Sequence, residues 1–572
     1  MMYTEQYNLW LKNAIKDPDL IEELKNIEGN AEEIKDRFWR SLEFGTGGLR
    51  GVIGAGTNRI NIYTVAQATQ GLANYLNEYF DEPTVAIGYD SRIKSDLFAE
   101  AAACVLAANG IKVYMYGELK PTPMISWAVR RLGCSSGIVI TASHNPAIYN
   151  GYKCYDERGY QMTDEAAART LEYIKKIDIF NDVKTMDFVD ALADDMVDYI
   201  EDWLEFEYFD ELLKTRVNID KAADADLKIL YTPLNGTGNK PVRHILKRAG
   251  FKNVAVVASQ EKPDGNFPTC PFPNPEIRQV FEEGLKMTAD FDADIIIATD
   301  PDADRIGIAV PYDGEYKLMT GNEVGCLMAD YLLSERAQKG TLPENPLVVK
   351  TIVTSELITA ITKKFGGEIA DLLTGFKYIG ELITELESKG MADNFVVGME
   401  ESYGYLIGTH VRDKDAVVSA LIIAEMASFY KKNGKNLYAR MQEIYAEFGM
   451  YINTLLNFGF AGADGMEKML NMMNSMRENT PENIAGMKVL VIADYLTQKV
   501  CDKNTGEISG TNLPQSNVLS FTLEDGNKVI VRPSGTEPKI KIYITAHAKT
   551  RDKAEILTDK IAENMKEIMG IE

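Results

Sequence analysis

Short apolar runs, each followed by a segment of helical period, recur along most of the chain. TVAIGYDS (84–91) predicts a strand, and SDLFAEAAACVLAANG (95–110) predicts a helix closed by Gly110. IKVYMYG (111–117) predicts a strand, PTPMISWAVRRLG (121–133) a helix and SSGIVIT (135–141) a further strand. The same rhythm returns with LKILYTP (227–233), a helix over 238–249, NVAVVA (253–258) and ADIIIAT (293–299). It returns again with VVKTIVTS (348–355), a helix over 356–365 and NFVVGME (394–400). Alternation of this kind predicts right-handed crossovers and largely parallel sheets. The last stretch differs. VLSFTLEDGNKVIVRPSGTEPKIKIYITAH (518–547) reads as short strands joined by turns, followed by a helix over 553–570. Residues 1–40 read as charged helices with Trp10, Phe38 and Trp39 packed on the first domain. Residues 43–56 read as a glycine-dense loop, and the Met- and Asn-rich 455–490 as a helical connection. The predicted fold class is α/β: three similar mixed-sheet α/β domains (1–222, 223–318 and 319–452) and a smaller C-terminal α+β domain (453–572).

Composition adds constraints on partners. Lys and Arg total 61 against 85 Asp and Glu, a net charge of −24 that argues against broad binding to nucleic acid or anionic membrane. An anionic substrate would therefore need a local pocket of Arg, Lys or metal charge. Six scattered cysteines (104, 134, 154, 270, 326 and 501) form neither a disulfide framework nor a zinc motif, and reduced thiols in a cytosol are expected. No basic-then-apolar leader opens the chain, and no run approaches the ~20 apolar residues that span a bilayer. The expected location is cytoplasmic.

The strongest local signal is TDPDADR (299–305), directly after ADIIIA. Asp300, Asp302 and Asp304 alternate through a strand-to-loop turn and can point to one side. Three anions this close repel unless something positive sits between them, and oxygen ligands suit a hard cation, Mg2+ or Ca2+; an acidic solvated turn is the rival reading. An EF-hand is excluded, because its sixth and twelfth positions would be Arg305 and Pro311.

TASHNP (141–146) closes an apolar strand, which puts Ser143 where open α/β sheets gather ligands, with His144, Asn145 and Lys153 nearby. A plain turn is the rival for that motif. RPSGTEPK (532–539) lies between two strand-like runs. Arg532, Ser534, Gly535, Thr536 and Lys539 together form a phosphate cradle or, alternatively, a polar hairpin turn. GMEESYGYLIGTHVRDKD (398–415) offers Glu400 and Ser402 for sugar hydroxyls and a basic cluster of His410, Arg412 and Lys414. FGTGGLRG (44–51) surrounds Arg50 with glycines but lacks the dinucleotide-binding spacing. In TGFKYIG (374–380), Lys377 either faces substrate or is a solvated lysine. His244 and His547 read as structural.

Together, and in this order, these motifs resemble the α-D-phosphohexomutase family from about residue 40 onward, most of all its long bacterial glucose-phosphate members and their phosphopentomutase relatives. The resemblance implies four domains around a central active-site cleft. Ser143 would carry a phosphoryl group and share an Mg2+ ion with Asp300, Asp302 and Asp304. Arg50, Lys153 and His144 would contact the reacting phosphate and assist proton transfer, with Arg305 beside the metal. Lys377, Glu400 and Ser402 would read the sugar, and His410, Arg412 and Lys414 would contribute to substrate binding. Arg532, Ser534, Gly535 and Thr536 would hold the phosphate that is not being transferred.

The implied reaction interconverts α-D-glucose 1-phosphate and glucose 6-phosphate, with glucose 1,6-bisphosphate as intermediate and activator. Pentose or mannose phosphates are the alternative substrates, and a magnesium-dependent sugar phosphatase is the more distant alternative. Some dual glucose/mannose members carry His two residues beyond the sugar-loop serine, and Gly404 stands there here. That departure favours glucose. Small sugar phosphates are the expected partners, with no nucleic acid or membrane, and the chain is expected to be a monomer or weak homodimer.

Overall fold

The computed structural model describes residues 3–45, 48–460, 465–534 and 539–571. They divide into two compact units. The first comprises Met1–Gly321, Phe376–Gly398 and Ser402–Asn436, and the second Asn322–Gly375, Met399–Glu401 and Leu437–Glu572.

The first unit contains two sheets. One uses β1 (Gly48–Val52), β2 (Thr84–Tyr89), β3 (Lys112–Met115), β4 (Ser136–Ile140), β5 (Tyr149–Asp156) and β6 (Val197–Tyr199), in the order β1-β5-β4-β2-β3-β6. The other uses β7 (Lys228–Thr232), β8 (Asn253–Val256), β9 (Ile295–Thr299), β10 (Ile306–Tyr312) and β11 (Glu315–Met319), in the order β11-β10-β9-β7-β8. The plans coincide. Each contains a run of three parallel strands, β4-β2-β3 or β9-β7-β8, and an antiparallel strand, β5 or β10, turns back beside the first. β4 leads to the serine loop and β9 to the acidic loop, so the two loops hold equivalent positions in the two sheets of the first unit. Such loops at strand carboxyl ends, beyond fully buried strands, are where an open α/β sheet places its chemistry.

In the second unit, β12 (Leu347–Thr351) pairs in parallel with β13 (Glu368–Leu372). Strand β14 (Phe395–Glu400) straddles the division between the units, and β15 (Gly404–Leu406) belongs to the first. The second unit also holds a large antiparallel sheet. Its strands are β16 (Met450–Gly459), β17 (Asn483–Ile484), β18 (Met487–Asp494), β19 (Lys499–Asp502), β20 (Ile508–Gly510), β21 (Leu519–Leu523), β22 (Lys528–Pro533) and β23 (Lys539–Ala548). The helices Gly465–Glu478 and Arg551–Met569 contribute Met469, Met473, Met476, Met565 and Met569 to its core.

Three expectations are corrected. The glycine-dense stretch is not all loop: β1 pairs antiparallel with β5, and Gly51 leaves out the β-carbon that would meet Leu42 at 2.8 Å. The expected helical connection over 455–490 is helical only at Gly465–Glu478 among the described residues: 455–459 complete β16, paired along its length with β23, and 483–484 and 487–490 belong to β17 and β18. Trp10 packs edge-on against Phe38, Tyr63 and Phe180, as its apolar surroundings dictate, but Trp39 is 56% exposed beneath the Arg40 guanidinium.

Candidate active site

Ser143 lies just past β4 with φ +52°, a left-handed backbone uncommon for a residue with a β-carbon. A buried clamp holds it there. Arg92 donates to the backbone carbonyls of Ser143 (2.5 Å), Pro146 (3.0 Å), Tyr149 (2.9 Å) and Asn145. Asp90, one residue past β2, faces the Arg92 Nε at 3.4 Å and accepts hydrogen bonds from Thr141 Oγ1 (2.6 Å) and Ser95 Oγ (2.8 Å). Thr141 Oγ1 in turn accepts from the Ser143 backbone N–H at 2.8 Å. Burial works against both charges of the clamp, raising the Asp90 carboxyl and lowering the Arg92 guanidinium, so the pair persists through its hydrogen bonds.

The acidic loop joins β9 to β10. Asp300 Oδ1 accepts from the backbone N–H groups of Asp304 (3.1 Å) and Arg305 (2.9 Å), which closes the turn. Asp302 Oδ2 accepts from Thr122 Oγ1 and Lys153 Nζ, both at 2.9 Å. Asp304 Oδ2 is shared by Lys153 (3.3 Å) and Lys414 (3.2 Å). The other oxygens of these two residues, Oδ1 of Asp302 and of Asp304, are buried with no hydrogen-bond partner.

One carboxylate oxygen from each aspartate lies within 4.8 Å of the others. A buried carboxylate oxygen without a donor is costly, and oxygen-only donors of this kind fit a hard divalent cation. The electrostatics agree. Burial, then the charges of Asp302 and Asp304, push the Asp300 carboxyl well above its ordinary value. Burial would also raise Asp302, but the charge and hydrogen bond of Lys153 hold it below. Asp304 is likewise held below, against burial and Asp302, by Lys414, Lys153 and Arg305.

The two loops meet. Ser143 Oγ donates to Asp300 Oδ2 at 2.9 Å across 157 residues of sequence. The His144 Nδ1 lies 3.1 Å from the same hydroxyl. Burial, then the charges of Arg305 and Arg50, push this imidazole well below its ordinary value, so it is neutral near pH 7 and able to take a proton. Lys153 comes from β5, in register with Val139 of β4. Arg50, on β1, feels Arg305, Asp302, Arg92 and Asp304. Arg305 Nη1 donates to Glu276 at 3.1 Å.

The remaining predicted residues divide. Lys414 joins the centre. Lys377 pairs with Asp164 at 2.6 Å, its Nζ lying over the Tyr378 ring. Ser402 is partly buried, and the carbonyl of the neighbouring Tyr403 accepts from Ile306 N–H at 3.0 Å, tying this loop to the base of the acidic loop. His410 and Arg412, expected to face substrate, are internal instead. His410 bonds Asp415 at 2.9 Å, and Arg412 is 1% exposed and bonds Glu387, Thr384 and the Thr409 carbonyl.

In the second unit, Glu400 accepts from Gly375 N–H at 3.0 Å. Arg532 lies on β22 opposite Lys541, and Ser534 N–H donates to the Lys539 carbonyl at 2.8 Å. Gly535 and Thr536 lie outside the described residues. Of the histidines read as structural, His244 stacks on Phe209 and His547 on Tyr451. Asp90 and Arg92 were missed in the sequence. Their signal is the DSR that follows the apolar run of β2, a strand-end position like that of Ser143.

Comparison with known proteins agrees in all four segments. Phosphoglucomutase/phosphomannomutase alpha/beta/alpha domains I, II and III match residues 41–179, 206–314 and 320–448, and the C-terminal domain matches residues 476–564. A phosphoglucomutase of Staphylococcus saprophyticus is 36% identical over 546 residues, covering 95% of this chain and 97% of its own. One from Staphylococcus aureus is 35% identical over 543 residues, covering 95% and 96%. Among solved structures, the open form of a Paramecium phosphoglucomutase, parafusin, superposes with a TM-score of 0.69 at 17% identity, covering 93% of this chain and 96% of its own. A phosphoglucomutase/phosphomannomutase family protein of Burkholderia thailandensis superposes with a TM-score of 0.66 at 17% identity, covering 92% and 97%. With its serine and acidic loops joined at one buried centre and relatives matching over 95% of its length, the chain belongs to the phosphoglucomutase/phosphomannomutase family.

Proposed function

We propose that this protein interconverts α-D-glucose 1-phosphate and glucose 6-phosphate, with Ser143 as the phosphate carrier. The observation that carries the assignment is the 2.9 Å approach of the Ser143 hydroxyl to Asp300 within a buried aspartate cluster that retains unsatisfied oxygens. Relatives named phosphoglucomutase, matching over 95% of the chain, support it.

The donor set fits Mg2+, which Asp300, Asp302, Asp304 and the Ser143 phosphate would hold, and which would supply positive charge to the phosphoryl oxygens. Phosphoryl transfer demands charge neutralisation and alignment more than covalent help. Lys153, Lys414 and Arg50 supply neutralisation from the chain itself. Arg92 fixes the loop that aims Ser143. In the first transfer, phosphoserine gives its phosphoryl group to a sugar hydroxyl oxygen. Neutral His144 relays the sugar hydroxyl's proton to the Ser143 oxygen as the serine's bond to phosphorus breaks. In the second, the bisphosphate returns its other phosphoryl group to Ser143. In this return transfer neutral His144, 3.1 Å from Oγ, takes the serine proton as the new P–O bond forms and hands it to the departing sugar oxygen.

Lys377, Glu400 and Ser402 are proposed to read the sugar in both orientations. Arg532, Ser534, Gly535 and Thr536 would hold the distal phosphate, glucose 1,6-bisphosphate would prime the serine, and the enzyme would work in the cytoplasm as a monomer or weak homodimer. The test is a coupled glucose 6-phosphate assay with and without the bisphosphate, alongside mannose and ribose 1-phosphates. Glucose 1-phosphate is the preferred substrate, and Ser143→Ala abolishes both turnover and phosphopeptide labelling. Near-normal turnover by that variant, or net phosphate release in place of isomerisation, would sink the assignment.

A further inference from the structure

Gly404 opens β15, buried, with a backbone outside the left-handed region, so alanine could adopt its conformation. The space where a side chain would begin is filled. A β-carbon on residue 404 would meet Lys414 Cδ at 2.2 Å and Cγ at 2.8 Å.

The backbone beneath that lysine cannot readily give way. Asp415 N–H donates to the Tyr405 carbonyl at 2.8 Å, and Ala416 N–H to the Ala303 carbonyl at 3.1 Å. The Asp415 carboxylate caps the helix Ala416–Lys432 through Val417 and Val418 N–H. The lysine stem is thus laid along the bare face of Gly404. Its Nζ reaches Asp413 Oδ1 at 3.0 Å and Asp304 Oδ2 at 3.2 Å, with the Phe376 ring 5.5 Å away. Asp413 is itself held by the Tyr155 hydroxyl at 2.6 Å.

We infer that Gly404 is a positioning residue for the transfer reaction: its missing β-carbon is the passage through which Lys414 reaches Asp304. Whatever stands at 404 therefore sets how much lysine charge the aspartate cluster carries. This rests on the proposed mutase function for its kinetic consequence but not for its electrostatic one. With Lys414 in place, its charge competes with a divalent ion for Asp304 while helping to neutralise a phosphate. A β-carbon at 404 pushes the stem aside, so ion binding tightens while turnover falls.

The experiment compares Gly404→Ala, Lys414→Ala and the double variant in the full-length enzyme. It measures glucose 1-phosphate kinetics, calorimetric Mn2+ binding and thermal midpoints. Each single variant should lower kcat about tenfold or more, in the range of losing one preorganised charge contact. Each should also tighten Mn2+ binding by about threefold or more, the sign Coulomb repulsion requires. Once Lys414 is alanine the stem is gone. Adding Gly404→Ala should then change neither quantity by more than about twofold, the non-additivity of two residues acting through one contact.

A Gly404→Ala enzyme with wild-type kcat and Mn2+ affinity overturns the inference, as do losses that multiply in the double variant. Should Gly404→Ala fold poorly, the inference requires Lys414→Ala to restore its thermal midpoint, and failure to restore it is equally fatal. If the wild-type enzyme leaves glucose 1-phosphate untouched, the mutase assignment falls, and the Mn2+ and stability measurements still decide the role of Gly404.

Discussion

Replacing Arg92 with lysine isolates geometry from charge at the serine loop. The substitution keeps a cation beside Asp90 but removes the planar fork that reaches the carbonyls of Ser143, Asn145, Pro146 and Tyr149. An ammonium can serve Asp90 and one carbonyl at best. At about 1 kcal/mol for each lost hydrogen bond, the loop forfeits roughly 2–3 kcal/mol of local stabilisation. The left-handed backbone at Ser143 costs about 1–2 kcal/mol to maintain, so the loss is enough to let the loop relax. A nucleophile displaced by about 1 Å can lose 10²-fold in rate. We therefore expect kcat for glucose 1-phosphate to fall by about that factor, with KM close to wild type because the residues proposed to read the sugar and distal phosphate are untouched. Phosphopeptide mass spectrometry after incubation with the bisphosphate should show slowed labelling of Ser143. An Arg92→Lys enzyme with wild-type kcat and labelling would refute the clamp, as would a loss confined to KM.

Removing divalent ions with a chelator should abolish turnover, and restoring Mg2+ to about 100 times its dissociation constant should stabilise the fold by about 2.7 kcal/mol, read as a rise in thermal midpoint. Arg532→Ala should raise KM for glucose 1-phosphate and lower kcat about tenfold or more while leaving Mn2+ affinity unchanged, as calorimetry would report. Asp156, at the end of β5, has its carboxyl raised to about 7 by burial and then by Glu157. Because that value lies above the unfolded one of 3.8, the residue favours the fold at low pH and loses this contribution as pH rises through about 7. Asp156→Asn should therefore gain thermal stability relative to wild type on going from about pH 4 to about pH 8, and a pH-independent difference between the two melting curves would contradict it.

The strand–helix alternation was legible because burial imposes its period directly on the sequence: β4 and β9 are buried at every position and read as the mostly apolar runs SGIVI and IIIAT. β1 was not, since its glycines spell a loop, and the neighbours that crowd it, Leu42 and Tyr152, come from elsewhere in the chain. β16 was hidden for a related reason. Half-buried along most of its length, it carries Asn453 and Asn457 among its apolar residues, so neither a helical nor a strand period stands out. At the site, the aspartates and Ser143 announced themselves by type and spacing. Arg92 did not, because one arginine after a strand has no periodic signature, and its partners lie about fifty residues onward in the serine loop. The basic cluster at 410–414 misled for the opposite reason. Local composition showed cations, but the carboxylate that occupies Arg412, Glu387, is supplied from the helix Phe376–Ser388, and His410 turns to Asp415.

That internal pairing bears on how so acidic a chain would hold the phosphate of the proposed reaction. Asp90, Asp300, Asp302, Asp304 and Asp413 confront Arg50, Arg92, Lys153, Arg305 and Lys414, a nearly balanced set, and Glu276 draws one donor of Arg305 away. Counted as formal charges, the carboxylates with Glu276 exceed the cations by one before any ion binds, and a dianionic phosphate entering this field would meet no net attraction. A divalent cation bound by the three loop aspartates reverses the sign, and Lys153 and Lys414, now sharing Asp304 with the ion, are freed in part to face phosphate oxygens. Phosphate affinity should accordingly depend on metal more steeply than on any single lysine. Inorganic phosphate binding measured calorimetrically with and without Mn2+ would expose this, and equal affinity in both conditions would mean that the lysines, not the ion, set the field.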